Sequence, residues 1–394
     1  MNRDHNDRLE LHKLRAPLIR YVNSDTSPKN EFTTDADKFA LLIRYGAIGD
    51  MVYASPLPRL LKNDGYYVVV NTQRQGLSVL KDNPYIDEFW FQEKNVIPHQ
   101  NLDAYWKALS EGFDNVINLT QSIEVTLLKT PQQGNYNEDN IKEIHDLNYY
   151  DHTMKTAGYD QNGLKGEIYF TEQEEEYAKE FMEPYKGKFT VLVVPVGSSI
   201  SKAYPYWPFI FVPHLEVNGR YPANYGLYDE IPDLITITTG DDTSRLLEWN
   251  HPQNHRGAGK LSIRETLLLT KYVDLVIGPD TGFLQAAGCF DTPKICLFGH
   301  TTRNNIAKYW TNDYSIESPA ECAPCYNMIY SLKQCKTDEY WRTCKCMVDL
   351  KPEMVIQQVK KVYKEWKRQR FLDGKKIIVP SKYERIESCQ QLQM

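Results

Sequence analysis

The amino-acid sequence predicts an α/β protein built as two similar halves, and three observations carry that prediction. Apolar, β-branched runs alternate with helix-like segments from Phe39 onward and again from Phe189 onward, the pattern of parallel sheets covered by helices. Two glycine loops of related form, Gly46-Ala47-Ile48-Gly49-Asp50 and Gly278-Pro279-Asp280-Thr281-Gly282, each follow such a run and lead into a helical segment. The length of 394 residues exceeds one comfortable core and fits about two domains at the usual ~100 to 200 residues each.

Taken in order, residues 1–37 are polar and charged with little periodicity and read as an extension outside the first core. The first domain is expected over 38–187. Its strands are read at 39–44, 66–71, 88–91 and 115–118, and its helices at 53–63 and 75–82, with a capped helix from Thr171 to Met182 in which Glu174 follows Thr171 by three residues. A hinge is expected around Glu183 to Lys188. The second domain, 188–350, repeats the alternation with strands at 190–194, 234–238, 273–277 and 294–298. In the last segment, 351–394, apolar residues at Val355, Ile356, Val359, Val362, Tyr363 and Trp366 have helical spacing, which predicts a closing helix that ties the two domains together.

Composition narrows the function classes. Hydrophobic residues make up 41% and charged residues 25%, the balance of a soluble globular protein rather than a disordered one. No run approaches the ~20 apolar residues of a membrane span and the first twenty residues are charged throughout, so the expected compartment is the cytosol. Net charge is −6, so a polyanionic partner must be met by a local basic face. The candidate face is Lys360, Lys361, Lys364, Lys367, Arg368, Arg370, Lys375 and Lys376, either a solvated helix surface or a peripheral contact with anionic lipid or nucleic acid.

Glycine in a strand-to-helix turn lets backbone N–H groups approach a ligand, and the helix start offers unpaired donors to an anion. Asp50 and Asp280 sit in such turns, placed either for chemistry or as helix N-caps. Cys322-x2-Cys325, Cys335 and Cys344-x-Cys346 crowd five thiols into twenty-five residues. A reduced, metal-free cluster is the first reading; if zinc is bound, Cys322, Cys325, Cys335 and Cys346 are the expected ligands, with Cys344 left out because of its one-residue gap to Cys346.

The order of motifs resembles the ADP-heptose lipopolysaccharide heptosyltransferases, glycosyltransferase family nine. The stretch from Leu42 through Gly46, Gly49 and Asp50 to Val52 and the following Ser55-Pro56-Leu57-Pro58 resemble that family's first strand and turn, as do Asn83-Pro84-Tyr85-Ile86-Asp87 and residues 152–158. Gly259 to Glu265, Asp274 to Gly282, Thr292-Pro293, Leu297-Phe298-Gly299 and Cys322-Ala323-Pro324-Cys325 follow in the same order. Nearly all of residues 39–366 are spanned. The family's histidine three residues after Asp-Thr-Gly is here Gln285, and the match is weak between 199 and 260.

The resemblance implies a GT-B fold, two Rossmann-like α/β domains facing across a cleft with the C-terminal helix packing back, and an inverting, metal-independent transfer that uses no cofactor. The partners implied are a nucleotide-sugar donor, ADP-heptose-like, and a glycan or glycolipid acceptor of lipopolysaccharide-core type. By resemblance, Asp50 is the base, Gly46 and Gly49 form the acceptor-side loop, and Ser198, Ser199 and Lys202 hold the diphosphate. Asp280, Thr281 and Gly282 contact the donor, and Gln285 either hydrogen-bonds the donor's sugar or phosphate or simply packs on a helix. Thr239, Gly240 and Asp241, at a strand end, are candidates for the nucleoside or form a structural turn. A modified base in DNA as acceptor and a catalytically idle sugar-nucleotide-binding protein are the alternatives, with the enzyme favoured by Asp50 and Lys202 together.

Overall fold

The computed structural model describes residues 19–21, 37–93, 96–129, 141–213, 226–327 and 335–378. Two sheets organise them. The first has strands β1 (Ile19–Tyr21), β2 (Phe39–Ile43), β3 (Tyr67–Thr72), β4 (Glu88–Phe91) and β5 (Asn115–Asn118) in the order β1-β4-β3-β2-β5. The second has β6 (Phe189–Val193), β7 (Leu234–Thr238), β8 (Asn254–Arg256), β9 (Leu275–Pro279), β10 (Lys294–Phe298) and β11 (Ile316–Glu317) in the order β11-β10-β9-β6-β7-β8.

Strands β2 to β5 pair in parallel, and so do all six strands of the second sheet. The continuous apolar runs follow from burial on both faces: Leu41, Leu42 and Ile43 in β2, and Val191, Leu192 and Val193 in β6, have no accessible surface. In each sheet the chain steps first to one side of a central strand and later to the other. β2 lies between β3 and β5, and β6 between β7 and β9. Such switch points open a crevice at the carboxyl ends of the strands, and both glycine loops stand there.

The extension expected to lie outside the first core instead supplies β1, which pairs antiparallel with β4 through Ile19 opposite Phe91 and Tyr21 opposite Phe89. An isoleucine, an arginine and a tyrosine are too short a run to show a period, which is why the strand escapes a pattern search.

Helices relevant to the site are α1 (Ile48–Ala54), α2 (Arg74–Leu80), α3 (Tyr149–Thr156), α4 (Glu172–Met182), α5 (Ile263–Tyr272), α6 (Gly282–Ala287) and α7 (Pro352–Ile378). The predicted capping box of α4 is present, with Glu174 N–H donating to Thr171 Oγ1 at 3.2 Å and Thr171 N–H to Glu174 Oε2 at 2.9 Å. The Glu174 carboxylate also receives Arg264 of α5, at 2.7 Å from Nε and 2.9 Å from Nη2. The same guanidinium reaches Asp82 at 3.1 Å, donates to the Ser78 carbonyl and lies over the Phe170 ring. One arginine of the second half thus clasps α2 and α4 of the first.

A second tie lies beyond α3, where Asn305 Nδ2 donates to the carbonyls of His145 and Leu147 and Asn148 Nδ2 donates to those of Asn304 and Asn305. Helix α7 packs back on the second half. Val355, Ile356, Val359 and Val362 are buried in the second core, the Tyr363 and Trp366 rings pack at a tilt against Phe189, and Trp366 Nε1 donates to Asp274. Its basic face is partly engaged, with Lys360 paired to Glu230, Lys361 over Tyr314 and Arg370 over Trp366. No helix among the described residues is long and apolar enough to cross a membrane.

Candidate active site

The first wall of the site is the loop between β2 and α1. Gly46 has φ of 135°, and a Cβ there would lie 2.5 Å from Asp50 Oδ2, so only glycine lets the chain turn under this carboxylate. Asp50 is the third residue of α1 rather than its N-cap, which is Ala47. Its Oδ2 accepts from Ala47 N–H at 2.7 Å, and its Oδ1 lies 2.7 Å from Arg44 Nη2. Arg44 is buried at the end of the strand run, donates from Nη1 to the Leu119 carbonyl, and has Glu124 at 3.5 Å on its other side. Burial, followed by the neighbouring Asp50 charge, raises the Glu124 carboxyl despite Arg44. One guanidinium therefore stands between two carboxylates.

The second wall is the loop between β9 and α6. Thr281, not Asp280, caps α6, its Oγ1 accepting from Leu284 N–H at 3.4 Å. Asp280 is buried and faces four groups drawn from three places in the chain. Gln285 Nε2 donates to Oδ1 at 2.9 Å and Thr301 Oγ1 to Oδ2 at 3.2 Å, while Lys202 Nζ and His300 Nε2 stand 3.6 and 3.9 Å from Oδ2. Gly197 wraps the Lys202 stem so closely that a Cβ there would lie 2.8 Å from its Cδ. Burial alone would raise the Asp280 carboxyl; Lys202, then His300, Gln285 and Thr301, outweigh it and hold it below the usual range.

The two walls touch. A Cβ on Gly49 would sit 1.8 Å from Gln285 Oε1, and one on Gly282 would sit 2.5 Å from Ile48 Cβ, so glycine at both positions is what lets α1 and α6 meet end on. Among the described residues Gln285 Oε1 accepts no hydrogen bond. The Tyr53 and Tyr149 rings pack at the base of this contact, 5.4 Å apart.

The remaining sequence candidates are placed less centrally. Ser198 is exposed on the loop after β6, and Ser199 Oγ is 2.8 Å from Ser201 Oγ. Thr239 is buried, with its hydroxyl against that of Thr266 at 2.7 Å, and the Asp241 carboxylate caps a short helix by accepting from Ser244 N–H at 3.0 Å. Gly240 has φ of 129°, so this stretch is a tight structural turn whose side chains are already occupied.

The cysteines Cys322, Cys325, Cys335, Cys344 and Cys346 are free thiols beyond β10. Cys344, left out of the expected ligand set, lies in the middle: it hydrogen-bonds to Cys335 and Cys346, lowering both thiols, Cys335 to about 7. Among the described residues no three Cys, His, Asp or Glu side chains form a metal-holding group.

Arg44, Glu124 and His300 had no role in the sequence reading. Arg44 ends an apolar run and looks like an ordinary solvated charge, whereas His300 closes a Leu297-Phe298-Gly299 run whose partners are remote in sequence. Chemically, the assembled cleft offers a carboxylate with access to solvent on one wall and, on the other, a lysine and an imidazole about a carboxylate: a proton acceptor facing an anion-holding edge.

The chain is similar to known glycosyltransferases. Residues 245–336 match the family model described as Glycosyltransferase family 9 (heptosyltransferase). Lipooligosaccharide heptosyltransferase 2 of Campylobacter jejuni is 22% identical over 340 residues, covering 80% of this chain and 96% of that protein. Among solved structures, a glycosyltransferase family 9 protein from Veillonella parvula superposes with a TM-score of 0.59 at 16% identity, covering 85% of this chain and all of the other. The ADP-heptose lipopolysaccharide heptosyltransferase II of E. coli gives 0.53 at 14% identity, with 84% and 99% covered. Motif order, matched segment and paired parallel sheets converge on one conclusion: the chain is heptosyltransferase-like, similar to the glycosyltransferases of family 9 in the matched segment and in its two-sheet α/β fold.

Proposed function

We propose that this protein transfers a sugar, with inversion and without a metal, from an ADP-heptose-like nucleotide donor to a hydroxyl of a lipopolysaccharide-core glycan or glycolipid. The observation that carries the reading is the contact of the two glycine loops, with Asp50 on one side and Lys202 on the other. The names of the relatives, heptosyltransferases of lipooligosaccharide and lipopolysaccharide, support the donor and acceptor classes.

In this mechanism the acceptor oxygen attacks the anomeric carbon while the bond from that carbon to the diphosphate oxygen breaks. The acceptor proton passes to the Asp50 carboxylate, and the diphosphate leaves with the bonding pair. Arg44 orients Asp50, and Glu124 on its far side offsets the guanidinium charge that would otherwise weaken the base. Lys202 neutralises the leaving group, with Thr281 and Gly282 backbone groups at the helix start and the Ser198–Ser199 loop holding the phosphates. Gln285 steadies Asp280.

Thermal denaturation against a panel of nucleotide sugars tests the reading, since a ligand at a hundred times its Kd adds ~2.7 kcal/mol. The expected result is selective stabilisation by an ADP-sugar, followed by mass-detected transfer to a truncated lipopolysaccharide core. A panel in which no nucleotide sugar stabilises the protein overturns it.

A further inference from the structure

His300 also borders Asp280, its Nε2 lying 3.9 Å from Oδ2. It follows Gly299 at the carboxyl end of β10, beside β9, so it stands on the ligand-facing edge of the second sheet. Its loop is fixed from both sides: Tyr326 N–H donates to the His300 carbonyl at 2.8 Å, and the next residue, Thr301, donates to Asp280. The imidazole is thereby held in place while its nitrogen stays uncommitted to Asp280, because 3.9 Å is an ion-pair distance and not a hydrogen bond. Lys202 approaches the same oxygen at 3.6 Å, also short of a hydrogen bond. Two nitrogen groups, from the loops after β6 and β10 on either side of β9, therefore border one carboxylate oxygen, and neither is hydrogen-bonded to it.

We propose that His300 binds the donor diphosphate directly, sharing its phosphate oxygens with Lys202, so that the imidazole of this site comes from the β10 loop and not from position 285 on α6. The amide nitrogen at that position is already given to Asp280, at 2.9 Å. Burial and the Lys202 charge hold the His300 imidazole down, to about 4, so at neutral pH it is a neutral N–H donor that does not compete with Lys202 for Asp280. An anionic phosphate beside it is the partner such a donor suits.

The inference rests on the nucleotide-sugar reading, and one binding experiment separates the two. ADP, GDP, UDP and CDP and the matching nucleosides are titrated into wild type, His300→Ala and His300→Gln, with circular dichroism as the folding check. The expected result is a diphosphate preferred over its nucleoside by wild type, a preference cut about 10-fold or more in His300→Ala with nucleoside affinity kept, and partial recovery in His300→Gln, whose amide restores an N–H donor. Diphosphate and nucleoside affinities that fall together in both variants make His300 structural and overturn the proposal. Unchanged affinities in both variants overturn it too, while leaving the transferase reading in place. Wild type that prefers none of the four diphosphates over its nucleoside overturns both.

Discussion

Arg44 Nη2 lies 2.7 Å from Asp50 Oδ1, and the guanidinium is buried at the end of the strand run while the carboxylate keeps 17% of its side-chain surface accessible. A fixed cation thus positions a carboxylate that can still meet a substrate. Asp50→Asn keeps the size of the side chain and removes the base, so transfer should fall by ~10² to 10⁴ while donor binding is retained. Steady-state rates with an identified acceptor, beside calorimetry with the nucleoside diphosphate, check this; wild-type turnover would remove Asp50 from the mechanism.

Lys202→Ala should weaken nucleoside diphosphate binding by roughly 10- to 100-fold, the equivalent of about 1.5 to 3 kcal/mol for a hydrogen bond to a charged group. It also strips Asp280 of its nearest cation, so a fall in Tm should accompany the loss. Calorimetry and a melting curve on the same sample decide it. Affinity and turnover equal to wild type would make the lysine a bystander.

Arg264 clasps the two halves through Glu174 and Asp82, both mostly buried. Arg264→Ala leaves those carboxylates without their cation and should cost about 3 kcal/mol of stability. The pH dependence has a definite sign. Burial alone would raise the Glu174 carboxyl, but Arg264 and the Thr171 N–H hold it at about 2, well under its unfolded value of ~4.3. The stabilisation is therefore present above ~4.3 and is lost as pH falls toward 2. Acid unfolding monitored by circular dichroism should begin at higher pH in Arg264→Ala; coincident wild-type and variant curves would refute the clasp.

The thiol cluster should be metal-free, with Cys335 its most reactive member, since the Cys344 hydrogen bond brings that thiol to about 7. Alkylation followed by mass spectrometry should label Cys335 first, with a half-maximal rate near pH 7. Elemental analysis of protein purified without chelator should find zinc and iron well below one equivalent. Stoichiometric metal, lost together with stability in Cys322→Ser, would instead make the cluster a folding element.

Both glycine loops are legible in the sequence because a strand feeding a tight turn and a helix leaves a local signature, and Asp50 and Asp280 follow from it, whereas Lys202 is singled out only by the family resemblance. What joins them is not local. His300 meets Asp280 and Lys202 only because β10, β9 and β6 are neighbours in the sheet, a fact of topology that no window of residues contains. Arg44 is similarly hidden, since its burial depends on Glu124 arriving from the far side of β5. The turn at 239–241 errs in the other direction: glycine and aspartate at a strand end look like a binding loop, yet the Asp241 carboxylate is spent on its own helix.

The short pairing of Ile19–Tyr21 with β4 acts as a sheath over a vulnerable border. An open strand border presents a row of unpaired N–H and C=O groups that recruits any extended chain. Glu88-Phe89-Trp90-Phe91 is buried at every position, so its border is unusually adhesive once uncovered. Shortening the protein past Tyr21 would leave the catalytic cleft intact while inviting a second copy to zip onto β4, and the visible outcome would be aggregation rather than loss of chemistry.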